Sequence, residues 1–174
     1  MLFDLQPTLT GALLQLRPLR EDDFDGLFAV AADRLIWQQH PASDRYQEPV
    51  FREFFRGALE SGGAFVVVDT AGGGIIGSTR YHGYEPTSSQ IEIGFTFLAR
   101  SPWGGRYNGE MKRLMLDHAF RFVDRVVFLV GPTNWRSRRA VEKIGGVLAG
   151  TRRNAAGRDS VAYEITAAGY AMLR

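Results

Sequence analysis

The sequence predicts one α/β (α+β) domain, a mixed and mostly antiparallel sheet flanked by helices in the order βααβββαβαββ. Three observations lead there. Strand patterns at 64–69, 75–81 and 91–98 are joined by short glycine, proline and serine turns, which makes them an antiparallel meander. Beyond them a glycine-rich turn opens a helix, and strands then alternate with helices before a final hairpin. Finally, 174 residues with 45% hydrophobic content suffice for one sizeable core and hardly for two. The domain is expected to occupy 1–174, with its core at about 13–166.

Residues 1–10 read as a loose leader or an edge strand, and Leu14-Gln15-Leu16-Arg17 alternates as a short strand that Pro18 limits. Arg20 to Phe24 places acids in a first helical turn, with Phe24, Leu27, Phe28 and Ala31 on one face. Residues 33–47, broken by Pro41, read as a loop with little regular structure. Val50, Phe51, Phe54, Phe55, Ala58 and Leu59 recur at helical spacing and set a second helix at about 48–60, which Gly62-Gly63 ends. Ala64–Asp69 is a buried strand, and Gly72-Gly73-Gly74 turns the chain into a strand over Ile75–Tyr81. After a turn at 85–89, Ile91, Ile93, Phe95 and Phe97 alternate with Glu92, Gly94, Thr96 and Leu98. Period 2 then puts Glu92 on the face opposite all four apolar residues. Met111, Leu114, Met115, His118 and Phe122 form the stripe of a helix at about 109–123, and Val126–Val130 is a buried strand. Asn134 begins a helix that Gly145-Gly146 stops. Strands near 147–153 and 159–166 make a hairpin around Asn154–Gly157, with a short helix from about 167.

The absence of cysteine excludes disulfide scaffolds, Cys-ligated zinc, thiol nucleophiles and redox dithiols. Three scattered histidines without paired carboxylates do not make a metal site. No apolar run approaches the roughly 20 residues that span a bilayer, and the first residues lack the basic start of a signal peptide, so a cytoplasmic protein is expected. Charge is uneven: residues 1–87 carry 7 basic and 12 acidic side chains, residues 88–174 carry 14 and 7. The basic half suggests an anionic ligand. Nucleic acid is disfavoured, because the arginines are spread over several elements without interleaved aromatics.

The strongest chemical feature is strand, glycine-rich turn, helix over 91–123. A helix N-terminus exposes unpaired N–H groups, and glycines let a phosphate approach the backbone. Trp103-Gly104-Gly105-Arg106-Tyr107-Asn108-Gly109 is not a Walker loop, since no Gly-Lys-Ser/Thr follows, and its spacing is wrong for a dinucleotide fingerprint. With Ile91-Glu92-Ile93-Gly94-Phe95, with Asn134-Trp135-Arg136-Ser137 running into Glu142-Lys143-Ile144-Gly145-Gly146, and with the opening Leu16-Arg17-Pro18-Leu19, this turn resembles the GNAT N-acyltransferase superfamily. Within it the chain is similar to the ribosomal-protein N-terminal (alanine/serine) acetyltransferases, over about 13–166. It departs from the family's pyrophosphate motif: Arg106 and Asn108 stand at the positions of the first glycine and the last small residue.

The resemblance implies direct acetyl transfer from acetyl-CoA to a primary amine, with no metal. Thr96, Phe97 and Leu98 would then line the thioester and pantetheine. The N–H groups of Gly105 to Gly109, with Gly104, Arg106, Tyr107 and Asn108 in the same turn, would take the pyrophosphate, and Asn134 would hold cofactor or cap its helix. Glu92 is the candidate base, acting through water, with a paired or solvated carboxylate as the competing reading. Ser137 is the candidate hydrogen-bond donor to the sulfur, because the family's tyrosine position is Val141 here; local bonding in the first helical turn competes. Trp37 and His82 are the candidate acceptor contacts. His118 reads as a core histidine, and Arg152, Arg153 and Arg158 read as a solvated face, with contact to an acidic substrate or nucleic acid as the competing reading. The acceptor is a small-molecule amine or a protein N-terminus. A homodimer through the C-terminal hairpin or the 85–89 edge fits the fold. The alternative function is a non-catalytic acyl-CoA-binding regulatory module.

Overall fold

A computed structural model describes residues 2–173. It contains one eight-stranded sheet in the order β1-β2-β3-β4-β5-β6-β8-β7. The strands are β1 (Leu9–Thr10), β2 (Leu14–Pro18), β3 (Ala64–Asp69), β4 (Ile75–Glu85), β5 (Gln90–Leu98), β6 (Arg125–Val130), β7 (Val147–Arg153) and β8 (Asp159–Thr166). The helices are α1 (Phe24–Ala31), α2 (Glu48–Glu60), α3 (Tyr107–Ala119), α4 (Trp135–Lys143) and α5 (Ala167–Ala171). Neighbouring strands run antiparallel except β5 and β6, whose connection through α3 makes them parallel.

Three expectations need correction. The helix expected at 109–123 runs from 107 to 119, because Phe120, Arg121 and Phe122 close in turns whose N–H groups bond to Leu116, His118 and Ala119. The strand expected over 75–81 continues to Glu85 alongside β5. The 33–47 loop contains a 3₁₀ turn at Arg34–Trp37, which starts where the Asp33 carboxylate accepts the Leu35 N–H.

Two apolar cores lie on opposite faces of the sheet. Leu27 and Ala31 of α1 with Phe51, Phe55 and Ala58 of α2 cover one face, against Val66 and Phe97. Met111, Met115 and Leu116 of α3 with Val141 of α4 cover the other, against Phe65, Ile91, Ile93 and Phe128. His118 is a core residue, as its place on the stripe suggested: it is 5% exposed and its Nε2 lies 2.8 Å from the Asp4 carbonyl. β7 is an outer edge strand with Val147 and Leu148 exposed. Among the described residues no helix is long and apolar enough to cross a membrane.

A buried carboxylate ties α3 to the start of the sheet. Glu110, in the first turn of α3, accepts the Ala12 N–H through Oε1 (3.1 Å) and the Leu13 and Leu14 N–H groups through Oε2 (2.7 and 3.0 Å). A Cβ on Gly11 would fall 2.6 Å from that carboxylate, so the tight approach requires glycine there.

Candidate active site

The strand β5 changes face partway along. Arg80 on β4 pairs with Gly94, and Ser78 pairs with Phe97, so β5 carries one extra residue in that interval. Phe95 takes up the excess at φ 51°, a left-handed conformation that a bulky residue adopts only when its surroundings hold it. Its ring packs 4.9 Å from the His82 ring and beneath the Arg80 guanidinium at 4.0 Å. The regular alternation expected for this strand is therefore wrong beyond Gly94. Ile91 and Ile93 face α3, whereas Phe97 belongs to the α1–α2 core, and Phe95 contacts Phe54 of α2. Glu92 opposes Ile91 and Ile93 but shares its face with Phe95 and Phe97.

The same strand opens the sheet. β5 and β6 pair at Gln90–Arg125, Ile91–Val126 and Glu92–Val127 and no further, although β6 continues to Val130. A cavity of about 300 Å³ occupies the resulting gap. It joins the side of α3 and α4 to the side of the 3₁₀ turn and the β7–β8 hairpin.

Glu92 and His82 meet at this cavity, Nε2 to Oε1 at 2.9 Å, each about one-fifth exposed. The approach is off-line for a hydrogen bond and leaves Nε2 without a directed partner. A Cβ on Gly94 would lie 3.2 Å from His82 Nε2 and 3.3 Å from Glu92 Oε1, so glycine keeps the space beside the pair open. Trp37 also lines the cavity; it is 1% exposed, and its Nε1–H donates to the Ala31 carbonyl at 2.7 Å. Its exposed surface is small, which makes it a wall rather than a flexible contact.

Of the residues expected to hold cofactor, Thr96, Phe97, Leu98, Gly104, Asn108 and Asn134 line the cavity. Gly105, Arg106, Tyr107 and Gly109 do not; they lie in the turn and the first residues of α3 beside it. Gly104 has φ 74°, which favours glycine, while Cβ atoms on Gly105 and Gly109 would meet at most one atom, Pro102 O at 3.4 Å from Gly105. The Tyr107 hydroxyl bonds to Asp69 Oδ1 at 3.3 Å and pins α3 to the end of β3. No side chain caps α3, so its first N–H groups are unclaimed by a cap. Asn134 caps α4, its Oδ1 accepting the Ser137 N–H at 3.3 Å. The Ser137 side chain borders the cavity one turn in.

Sequence reading missed Lys112. It sits on α3 in a row with the buried Leu116 and Ala119, 5% exposed, and its Nζ donates to Thr96 Oγ1 at 2.6 Å. Thr96 Oγ1 is in turn 2.8 Å from Thr79 Oγ1. The only signal was a lysine in a helical row of apolar residues. With no carboxylate partner among the described residues, burial pushes its ammonium down to about 7. In the unfolded chain it keeps its proton up to about 10.5, so between those values the unfolded state binds more protons and folding stability rises with pH. Lys112→Met, which leaves the Thr79–Thr96 pair intact, is therefore expected to stabilise the protein at pH 6 by a few kcal/mol, the order of magnitude set by the gap between about 7 and 10.5. The difference from the wild type shrinks as pH rises from 7 toward 10. Urea unfolding of both proteins at pH 6, 8 and 10 measures it, and parallel pH profiles would refute the shift.

The other group is cationic, and of it the sequence reading singles out Arg158 alone. Arg136 donates from Nη2 to the Ile36 carbonyl at 2.8 Å and stacks over Trp103 at 3.8 Å, joining α4 to the 3₁₀ turn and to the glycine-rich turn. Arg45, in the loop before α2, and Arg158, in the β7–β8 hairpin, also line the cavity. Arg152 and Arg153 instead pair with Glu164 and Asp159. Among the described residues no group of His, Asp and Glu could hold a metal ion.

The geometry has counterparts. A family model for the acetyltransferase (GNAT) domain matches residues 14–147. A GCN5-related N-acetyltransferase from Brucella melitensis superposes with a TM-score of 0.81 at 23% identity, covering 97% of this chain and 82% of that one. A protein from T. thermophilus, provisionally assigned as an acetyltransferase, superposes with a TM-score of 0.77 at 27% identity, covering 99% and 97%. Mycobacterium smegmatis RimJ, solved in complex with CoA-disulfide, gives a TM-score of 0.69 at 23% identity over 93% and 88%. No curated protein matches the sequence.

Proposed function

The chain belongs to the GNAT acetyltransferase family and is an acetyl-CoA-dependent N-acetyltransferase, and from that premise we propose that Glu92 and Ser137 serve direct transfer to a primary amine in the cytoplasm. The observation that carries the reading is the parting of β5 from β6 after Glu92, which puts a carboxylate and an uncapped helix N-terminus on one cavity. The residues suit the cosubstrate. The β5 backbone beyond Glu92 has no strand partner on its β6 side, and α3 begins without a side-chain cap, which leaves its first-turn N–H groups for phosphate oxygens, although in the turn before it the Gly105 N–H bonds to the Pro102 carbonyl at 3.4 Å.

Acetyl-CoA, when bound, supplies the acetyl group as a reactive thioester. The backbone of Thr96 to Leu98 would align its pantetheine arm, and the turn from Gly104 to Asn108 its pyrophosphate. Lys112 holds the Thr96 hydroxyl and so fixes that side chain at the bulge. Glu92 takes a proton from the amine, directly or through one water, with the His82 imidazole 2.9 Å away beside it. The Ser137 hydroxyl donates a hydrogen bond toward the sulfur end of the cavity. Trp37 and Phe97, whose ring centroids lie 5.0 Å apart, wall the site from the α1–α2 core and exclude water.

Calorimetric and thermal-shift titrations with acetyl-CoA test the reading. A ligand that binds only the folded state adds about 2.7 kcal/mol of stability at a hundredfold excess over Kd. Ser137→Ala should bind acetyl-CoA as the wild type does and lose less than about tenfold in kcat, the worth of one neutral hydrogen bond. Silence toward millimolar acetyl-CoA would overturn the assignment of this cavity.

A further inference from the structure

The acceptor side of the cavity holds more positive charge than it neutralises. Arg45 is half-buried, with its guanidinium 4.4 Å from the Phe54 ring centroid and 5.7 Å from that of Trp37. Arg80, 7% exposed, faces the same Phe54 ring at 5.6 Å from behind Phe95. Arg158 reaches the cavity from the β7–β8 hairpin. None of the three forms an ion pair among the described residues, and Arg80 Nε is buried without a hydrogen-bond partner.

The groups register one another's charge. Burial first, then Arg80 and Arg158, push the Arg45 guanidinium down to about 10, with Asp44 as the single opposing carboxylate. Burial alone pushes Arg80 down to about 10. His40, whose Nδ1 accepts the Ala42 N–H at 2.9 Å, is pushed down to about 3 by burial and then by Arg45, Arg158 and Arg136, so it is neutral at any working pH. Desolvated guanidinium groups without a counter-ion are costly, and a bound anion is the usual compensation.

Among the described residues that line the cavity the one carboxylate is Glu92, at the other end. Glu92, His82, Phe95, Arg80, Phe54 and Arg45 form one row of successive contacts, from carboxylate to guanidinium. We propose that the acceptor is an amine that also carries an anionic group, a carboxylate or a phosphate, bound by Arg45 and Arg158 with Arg80 behind them, so that its amine meets Glu92. The inference rests on the acetyl-transfer reading and narrows it: a polyamine would set its second cation against the arginines and is excluded by repulsion.

The experiment uses the full chain and matched acceptors: ω-amino acids against alkylamines of the same length, and O-phosphorylated amino alcohols against the parent alcohols. CoA thiol release gives kcat/KM, and calorimetry gives the affinity of each acceptor for the CoA-loaded protein. The acid-bearing member of a pair is expected to win by about tenfold or more in both readouts, and the better of carboxylate and phosphate identifies the anion. Arg45→Gln and the exposed Arg158→Gln should each raise KM and the calorimetric Kd of the acid-bearing acceptor about tenfold. Arg152→Gln, on the outer strand with Glu164, should not. Equal use of both members, or no binding of the acidic member to a protein that does bind acetyl-CoA, overturns the proposal. So does a loss of CoA affinity in Arg45→Gln, which would mean that the arginines hold the cosubstrate's own phosphates. Failure of the wild type to bind acetyl-CoA at all is a different result: it overturns the acetyl-transfer reading, and this proposal falls with it.

Discussion

Glu92→Gln is expected to lower kcat about a hundredfold or more while leaving acetyl-CoA affinity unchanged. The substitution preserves shape and removes the proton acceptor, and a positioned general base contributes roughly 10²–10⁴ to a rate. Because Glu92 lies where β5 still pairs with β6, its backbone is held on both sides and the variant should fold. The companion His82→Asn should lose less, since the imidazole stands 2.9 Å from the carboxylate without a directed hydrogen bond to it and does not take the amine's proton. Thiol release at saturating acetyl-CoA, beside calorimetry of each variant, separates the two effects. A Glu92→Gln enzyme with wild-type kcat would reduce the pair to a structural contact.

Glu110→Ala is the stability counterpart. It removes a 6% exposed carboxylate that accepts three backbone N–H groups of residues 12–14 and leaves those donors without partners. The expected cost is about 3 kcal/mol, reduced from the full sum because Ala12 is exposed and water can reach its N–H. For a chain of this size that lowers Tm by about 6–12 °C. Glu110→Gln should cost less but still destabilise, because its amide must turn one N–H toward a backbone donor. Thermal unfolding of both variants tests this, and an unchanged Tm for Glu110→Ala would show that the turn at 11–14 holds without the carboxylate. Acetyl-CoA binding in the folded fraction should survive, since Glu110 does not line the cavity.

Several elements were legible in the chain because their causes are local. The helix over Glu48–Glu60 and the strands Ala64–Asp69, Val147–Arg153 and Asp159–Thr166 fall where periodicity and flanking turn residues put them. Asn134 reads as a cap for the same reason: one side chain and one N–H three residues on decide it. The start of α3 was less legible, because no side chain caps it and the contact made by its first residue, Tyr107 to Asp69, joins residues far apart in sequence.

The candidate site divides along the same line. Residue order alone specified the succession of elements, the glycine-rich turn before α3 and the presence of Glu92 on a strand leading to it. The bulge of β5 at Phe95 came from the fold, since it depends on register against β4 and on the grip of Arg80 and His82. The fold also placed Lys112 beneath Thr96 and set Arg45, Arg80 and Arg158 toward one another without counter-ions. Periodicity along a chain specifies which way a side chain points from its own backbone. Charge balance and burial depend on what the folded sheet brings from elsewhere, and no local pattern of residues carries that information.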